Sequence, residues 1–225
     1  MPKPKSQEAV PNKKRVLIVD DHPIFRAGLT GLVNLETDMT VCGEAHDATQ
    51  AMQAVEKLNP DLVLLDMSLP GKSGLELLKD IRALAPQTPV LIISMHDETL
   101  YAERVIRAGG RGYIMKQEGP EKIVQAIRRV MSGGISVSEG ISSQILDALS
   151  GAKKGTASSV STLTDREFEV YRLLGQGKEP HEIARILHLS IKTVDTHRSH
   201  IRQKIGLRNA TELIHHATRW TTEQG

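Results

Sequence analysis

Short apolar runs alternate with helix-forming segments through residues 15–131. The runs cover residues 15–21, 40–45, 61–66, 89–94 and 111–116. Runs this short and this apolar are typical of strands that are buried on both faces of a sheet. Helices are predicted between them, from Pro23 onward and over 48–58, 73–84, 97–108 and 120–131. Strict alternation predicts a five-stranded parallel sheet with helices on both faces.

The predicted helices differ in their apolar faces. In the first helix the apolar residues at helical spacing are Ile24, Phe25, Leu29, Leu32 and Val33. Ser73 is a plausible cap for the third helix, because a serine oxygen can accept the first free backbone N–H groups. The segment 97–108 has little apolar surface, so its face toward the sheet is the least defined by the sequence.

After residue 162 the pattern is purely helical. Four helices are predicted, over about residues 165–175, 179–188, 190–205 and 209–220. In the third, Val194, Ile201 and Ile205 share one face, and the opposite face is polar and partly basic. A short helix, a tight turn at 188–189 and this second helix predict a small all-α helix-turn-helix domain. The alternative is a small helical docking domain with a solvated face.

Two further segments lie outside these patterns. Residues 132–161 predict a linker, with a short helix over 141–149 and a flexible stretch of small polar residues after it. Residues 1–14 carry four lysines interrupted by prolines, with no apolar core, and predict a disordered basic leader, not a signal peptide. The predicted domains are therefore 15–131 and 162–225.

Charge is distributed unevenly over the 225 residues, although the net charge is only +2. Residues 15–131 carry 13 Lys and Arg against 16 Asp and Glu, whereas residues 161–225 carry 10 against 8 and six of the nine histidines. The asymmetry predicts two domains with different partners. The basic excess is too small to establish nucleic-acid binding by itself.

The single cysteine and the absence of long apolar runs limit the compartment. Cys42 has no partner within the chain, which favours a reducing compartment, and we expect it to be a buried thiol in a strand. No apolar run approaches the roughly 20 residues that a membrane helix needs. We therefore expect a cytoplasmic protein that does not associate with membranes.

Carboxylates follow two of the predicted strands. Asp20 and Asp21 end the first strand, and Asp66 ends the third. In an open α/β sheet the carboxyl ends of the strands border the crevice in which ligands bind. Converging carboxylates repel one another, so a cation is expected, and oxygen ligands suit Mg²⁺. The alternative for Asp66 is a loop aspartate that caps the helix beginning near Ser73.

Two other strands end on a hydroxyl and an ammonium group. Ser94 closes the fourth strand and Lys116 closes the fifth. A hydroxyl, an ammonium group and a cation around one carboxylate can neutralise a phosphoryl group that is transferred to it or held on it. Taken singly, Ser94 is also an ordinary turn residue and Lys116 an ordinary surface charge.

Residues 15–131 resemble a bacterial response-regulator receiver domain. The resemblance lies in residues 19–22, 64–71 with Ser73 and Gly74, Ser94, and 112–116. It implies a flavodoxin-like sheet in the order 2-1-3-4-5. It also implies that Asp66 accepts a phosphoryl group from the phosphohistidine of a sensor histidine kinase.

In such a site Mg²⁺ is bound by Asp21, Asp66 and the backbone carbonyl of Ser68, with Asp20 acting through water. Lys116 would then contact the phosphoryl group, and Ser94 and Tyr113 would form a switch pair in which Ser94 turns toward the phosphoryl oxygen and Tyr113 moves inward.

Residues 162–220 resemble the LuxR-type helix-turn-helix of the NarL/FixJ response regulators. The resemblance lies in residues 163–167, 177–178, 182–184, 189–197 and 201–205. It implies that a homodimer binds promoter DNA. The candidate phosphate contacts are Lys192, Thr193, Arg198 and Lys204. The candidates facing base edges are Asp195, Thr196 and Ser199, and Asp195 would accept from cytosine.

These features predict a transcription regulator that is switched by phosphorylation and is not an enzyme. One alternative is a DNA-binding regulator whose receiver does not signal. Another is an aspartyl-phosphate phosphatase or phosphotransferase. Such enzymes usually carry a second acid two residues beyond the nucleophile, and this position is Ser68.

Overall fold

The computed structural model describes residues 13–143 and 159–224. Residues 1–12 of the predicted leader and residues 144–158 of the predicted linker lie outside the described residues. The predicted helix 141–149 is therefore described only at its start, where residues 139–143 are helical.

The first domain is a five-stranded parallel sheet with five helices, as predicted. Its strands are β1 (Lys14–Val19), β2 (Met39–Ala45), β3 (Leu62–Asp66), β4 (Val90–Ser94) and β5 (Gly112–Met115). Its helices are α1 (Pro23–Leu35), α2 (Ala48–Leu58), α3 (Gly74–Leu84), α4 (Glu98–Arg107) and α5 (Pro120–Met131). The sheet order β2-β1-β3-β4-β5 confirms the order implied by the resemblance. It makes β1 and β3 neighbours, so the three strand-end acids lie at one edge.

Alternate residues of each central strand enter two separate apolar layers. In β3, for example, Val63 and Leu65 pack in the layer that includes residues of α2, α3 and α4. Leu62 and Leu64 pack in the layer with residues of α1 and α5. This alternation is what a strand buried on both faces requires. Ile24 is an exception to the predicted apolar face of α1, because it is 90% exposed. It lies five residues before the buried Leu29, which is about 140° away around a helix.

The second domain has four helices after a short 3₁₀ turn (Ser159–Thr162). They are α6 (Asp165–Gly175), α7 (Pro180–Ile186), α8 (Ile191–Ile205) and α9 (Ala210–Gln224). The predicted helix 179–188 was too long at its end, because His188 has a φ of +52° and leaves the helical conformation. This residue makes the turn between α7 and α8. In the described part of the chain, no helix combines the length and apolar character needed to cross a membrane.

The first residues of the predicted linker pack against the first domain. The backbone of Ser136 bridges to Gly112, and its carbonyl oxygen accepts from the N–H of Tyr113 at 2.8 Å. The structured part of this domain therefore continues beyond residue 131.

Candidate functional site

Asp66 is the last residue of β3, and its side chain is buried in the crevice at the carboxyl edge of the sheet. It does not cap a helix, because Ser73 caps α3 in a reciprocal capping box with Glu76. Gly74 allows the start of α3 to lie directly against the end of β3. A Cβ atom at this position would be 2.4 Å from the carbonyl oxygen of Asp66. The loop after Asp66 therefore returns to the backbone at the end of β3, where the N–H of Gly74 donates to the carbonyl oxygen of Met67 at 2.8 Å.

Lys116 lies between two of the predicted carboxylates. Its Nζ donates to Oδ2 of Asp66 at 2.7 Å and lies 2.7 Å from Oδ2 of Asp20. Only 4% of the Lys116 side chain is exposed, so the ion pairs are shielded from water. The ammonium group also lies 4.5 Å from the centroid of the Phe25 ring. Lys116 is therefore not an ordinary surface charge, and its ammonium group lies beside Asp66. Its contact with a phosphoryl group stays a prediction.

One ammonium group does not fully compensate the acids of this crevice. Burial raises the pKa of Asp66 to about 6, despite the opposing effect of Lys116. Ligand atoms of Asp20, Asp21, His22 and Asp66 all lie within 4.8 Å of one another. The set consists mainly of carboxylate oxygens, the ligands that Mg²⁺ prefers, so these residues fit a divalent cation. The backbone N–H of Ser68 donates to Oδ1 of Asp66 at 3.2 Å. Ser68, whose carbonyl oxygen is a predicted ligand, therefore lies beside Asp66.

The predicted switch pair is connected through a residue that the sequence analysis did not assign. Oγ of Ser94 accepts from the backbone N–H of His96 at 3.1 Å, and the hydroxyl of Tyr113 donates to the carbonyl oxygen of His96 at 2.9 Å. Tyr113 is already buried in this structure. Nε2 of His96 lies 3.1 Å from Oγ of Ser68. Burial lowers the pKa of His96 to about 4, helped by the charges of Arg172 and Lys116, so the ring is neutral near pH 7.

The polar face of α8 points to solvent. Lys192, Asp195, Thr196 and Ser199 are exposed, while Val194 and Ile201 are buried in the domain core. This arrangement is what a helix that enters the major groove requires.

Five of the predicted DNA contacts already have partners within the protein, among them Thr196, whose hydroxyl donates to the carbonyl oxygen of Lys192 at 2.9 Å. Nζ of Lys204 donates to the buried Glu167 at 2.6 Å, and Arg198 pairs with Asp195 at 2.6 Å. Thr193 donates its backbone N–H to Ser190, the helix cap. Their DNA contacts stay predictions.

The match to known families covers both domains. Residues 16–128 match the family described as "Response regulator receiver domain", and residues 161–217 match "Bacterial regulatory proteins, luxR family". The chain is a two-component response regulator of the NarL/LuxR type. It is 35% identical over 208 residues to "Oxygen regulatory protein NreC" of Staphylococcus aureus (strain JH9), which covers 90% of this chain and 96% of the relative.

Solved structures of response regulators share the fold. RcsB from Salmonella enterica serovar Typhimurium, bound to promoter rprA in the presence of the phosphomimetic BeF₃⁻, is 26% identical with a TM-score of 0.61. That match covers 92% of this chain and 99% of the RcsB chain. A LuxR-family response regulator from Aurantimonas sp. SI85-9A1 is 33% identical with a TM-score of 0.57, over 62% and 99% of the two chains. These findings confirm a DNA-binding two-component response regulator.

Two histidines of this response regulator were missed as site residues. His22 follows the strand-end pair directly, and its Nδ1 lies 2.8 Å from Oδ1 of Asp21. His96 follows Ser94 by two residues. The available signal was that each histidine lies within two residues of a strand-end site residue, but such a position does not distinguish a loop histidine from a site histidine.

Proposed function

We propose that Asp66 accepts a phosphoryl group from the phosphohistidine of a sensor histidine kinase. The single observation that carries this proposal is the buried carboxylate of Asp66 at the end of β3, which pairs with Lys116 and lies close to Asp20 and Asp21. A carboxylate oxygen forms a bond to phosphorus as the P–N bond breaks, and the electrons of that bond remain with the donor imidazole.

The other residues of the crevice compensate charge around this step. Lys116 is positioned to pair with an oxygen of the phosphoryl group, because its ammonium group already lies 2.7 Å from Asp66. Ser94 offers a hydroxyl at the neighbouring strand end. Asp21, Asp66 and the carbonyl oxygen of Ser68 would hold Mg²⁺ directly, and Asp20 would hold it through water. The ion would supply positive charge near the phosphoryl oxygens.

Incubation of the full chain with Mg²⁺ and phosphoramidate tests the acceptor. We expect the intact mass to increase by one phosphoryl group in the wild type and in Asp80→Asn, a control aspartate on the exposed side of α3. Asp66→Asn should show no gain, and a chelator should suppress the gain in the wild type. A labelled Asp66→Asn protein would contradict the assignment.

We infer that the phosphorylated form binds promoter DNA as a homodimer through α8. Support comes from the exposed polar face of this helix, and from the relative solved on promoter DNA with a phosphomimetic. Light scattering on the phosphorylated and unphosphorylated samples measures the change in oligomeric state. A shift toward the dimer is expected, whereas labelling without dimerisation would favour release of a contact between the domains. A regulatory role without enzymatic turnover and a cytoplasmic location stay predictions from the sequence.

A further inference from the structure

Helix α4 of the receiver contacts the DNA-binding domain through an aromatic pair and an arginine. The rings of Tyr101 and Phe168 meet edge to face with centroids 5.4 Å apart, and both side chains are buried. The guanidinium carbon of Arg104 lies 4.1 Å from the centroid of the Phe168 ring. Arg104 also donates to the carbonyl oxygens of Val160 and Leu163, at 2.9 and 3.0 Å. The contact therefore combines buried aromatic area with directional hydrogen bonds.

Ion pairs border the same contact. Asp165, at the start of α6, pairs with Lys79 of α3 at 2.6 Å and with Arg104 at 3.5 Å. Only 11% of the Asp165 side chain is exposed. The first turn of α6 is thus held by two receiver helices.

His96 connects this contact to the phosphoacceptor site. Its ring stacks on Tyr101, with centroids 5.3 Å apart and an angle of 27° between the planes. On its other side, its backbone N–H donates to Ser94 and its carbonyl oxygen accepts from Tyr113. One residue therefore touches both the switch pair and the ring that packs on the second domain.

We propose that His96 is a positioning residue that couples phosphorylation at Asp66 to the contact between the two domains. The proposal rests on the proposed function, because it requires a phosphoryl group on Asp66. When the hydroxyl of Ser94 turns toward that group, it ceases to accept the N–H of His96. The main chain of His96 then loses one of its two fixed hydrogen bonds. Its ring loosens from Tyr101, and the pair of Tyr101 with Phe168 weakens.

The coupling acts on the position of the DNA-binding domain and not on exposure of its reading face. Lys192, Asp195, Thr196 and Ser199 are exposed while the domains are in contact. What the contact fixes is the direction in which α8 points from the receiver. Loosening it frees the domain to align with that of a second copy on DNA.

The test uses the full chain with Mg²⁺ and beryllofluoride as a stable phosphoryl mimic. Fluorine NMR reports whether the mimic is bound, and hydrogen exchange followed by mass spectrometry reports the protection of α4 and α6. In the wild type we expect binding to raise exchange in both helices by roughly threefold to tenfold, the range set by one aromatic contact. His46→Ala, a substitution of an exposed histidine in the loop after β2, serves as a control that should behave like the wild type.

Two variants separate the ring of His96 from its main chain. His96→Ala keeps the main-chain bonds but removes the stacking on Tyr101. We expect raised exchange in α4 and α6 before the mimic is added, and no further increase at a mimic concentration that saturates the fluorine signal of this variant. His96→Phe keeps a ring on Tyr101 and should retain the wild-type response. If His96→Ala does not fold, Phe168→Leu weakens the same contact from the other domain and should reproduce its expected behaviour.

The possible failures are distinguishable. The mimic could bind to His96→Ala while exchange in α4 and α6 matches that of the wild type both before and after binding. That result would overturn the coupling and leave Asp66 as the acceptor. Loss of the response in His96→Phe would also overturn it, because the stacked ring would then not carry the coupling. No fluorine signal in the wild type would overturn the proposed function itself.

Discussion

Lys204, near the end of the DNA-facing helix, donates to the buried carboxylate of Glu167 with an N–O distance of 2.6 Å. The same carboxylate oxygen accepts from the backbone N–H of Thr164 at 2.8 Å. Burial by itself raises the pKa of Glu167, but the hydrogen bonds from Lys204 and Thr164 outweigh it and hold the pKa below its usual value. One carboxylate thus completes the cap of α6 and fixes α8 to it.

Lys204→Met is expected to destabilise the DNA-binding domain. The substitution leaves a buried carboxylate without its charged partner, so the free energy of unfolding should fall by about 1–3 kcal/mol. Urea unfolding followed by the fluorescence of Trp220, the single tryptophan, measures the change. Lys192→Met, at an exposed position of the same helix, should change stability by no more than about 0.5 kcal/mol. Equal stability of both variants would show that the ion pair with Glu167 contributes nothing.

Lys192 is instead expected to act on DNA. Because its side chain is exposed on the polar face of α8, Lys192→Ala should remove about one phosphate contact. The slope of log affinity against log salt concentration should fall in magnitude by about 1. Fluorescence anisotropy with a labelled duplex over a range of salt concentrations measures the slope. Lys57→Ala, the control, removes the same charge from an exposed position on α2 of the receiver. If it lowered the salt slope as much as Lys192→Ala, the DNA surface would lie elsewhere.

The sequence predicted the parts of the molecule that depend on local pattern. The burial of β3 and the position of Asp66 follow from one apolar run and its last residue. The role of Lys204 could not be read in this way. Its partner Glu167 lies 37 positions earlier in the chain, and the capping pattern already accounted for that glutamate. His96 was missed for a related reason, because its contacts with Tyr101 and Tyr113 arise only when α4 and β5 pack together.

The stability of the second domain should fall in mild acid through His216. Burial, and then the charge of Arg219, lower the pKa of His216 below its usual value of 6.5. Its Nδ1 lies 2.7 Å from the hydroxyl of Tyr171, which a neutral ring can accept. Below pH 6.5 the unfolded chain therefore binds a proton that the native state does not, and stability is lost as the pH falls toward the native pKa. Above 6.5 the ring is neutral in both states, so this contribution is constant.

Unfolding free energies between pH 7.5 and 5.5 test this sign. His216→Gln should depend less steeply on pH than the wild type. His215→Gln, the exposed neighbour on the same helix, should keep the wild-type slope. If His216→Gln also kept that slope, the proton uptake would belong to another group. His197 is the next candidate, because burial lowers its pKa as well.

The stability of the receiver should depend on Lys116, because this residue neutralises the acids of the crevice. Its ammonium group lies 2.7 Å from both Asp20 and Asp66, and all three side chains are almost fully buried. In a chelator, Lys116→Met leaves two buried carboxylates facing each other. The free energy of unfolding should then fall by about 3–5 kcal/mol, the range for breaking a buried ion pair from one side. Urea unfolding with and without Mg²⁺ measures it.

Combining Lys116→Met with Asp66→Asn removes one of those uncompensated charges. If repulsion causes the loss, the double variant should be more stable in chelator than Lys116→Met alone, so the two substitutions are not additive. Mg²⁺ should restore stability to Lys116→Met more than to the double variant, because Asp66 is one of the residues proposed to hold the ion. Additive losses, or equal rescue of both proteins, would mean that Lys116 stabilises the receiver through packing against Phe25 and not through the charges of the crevice.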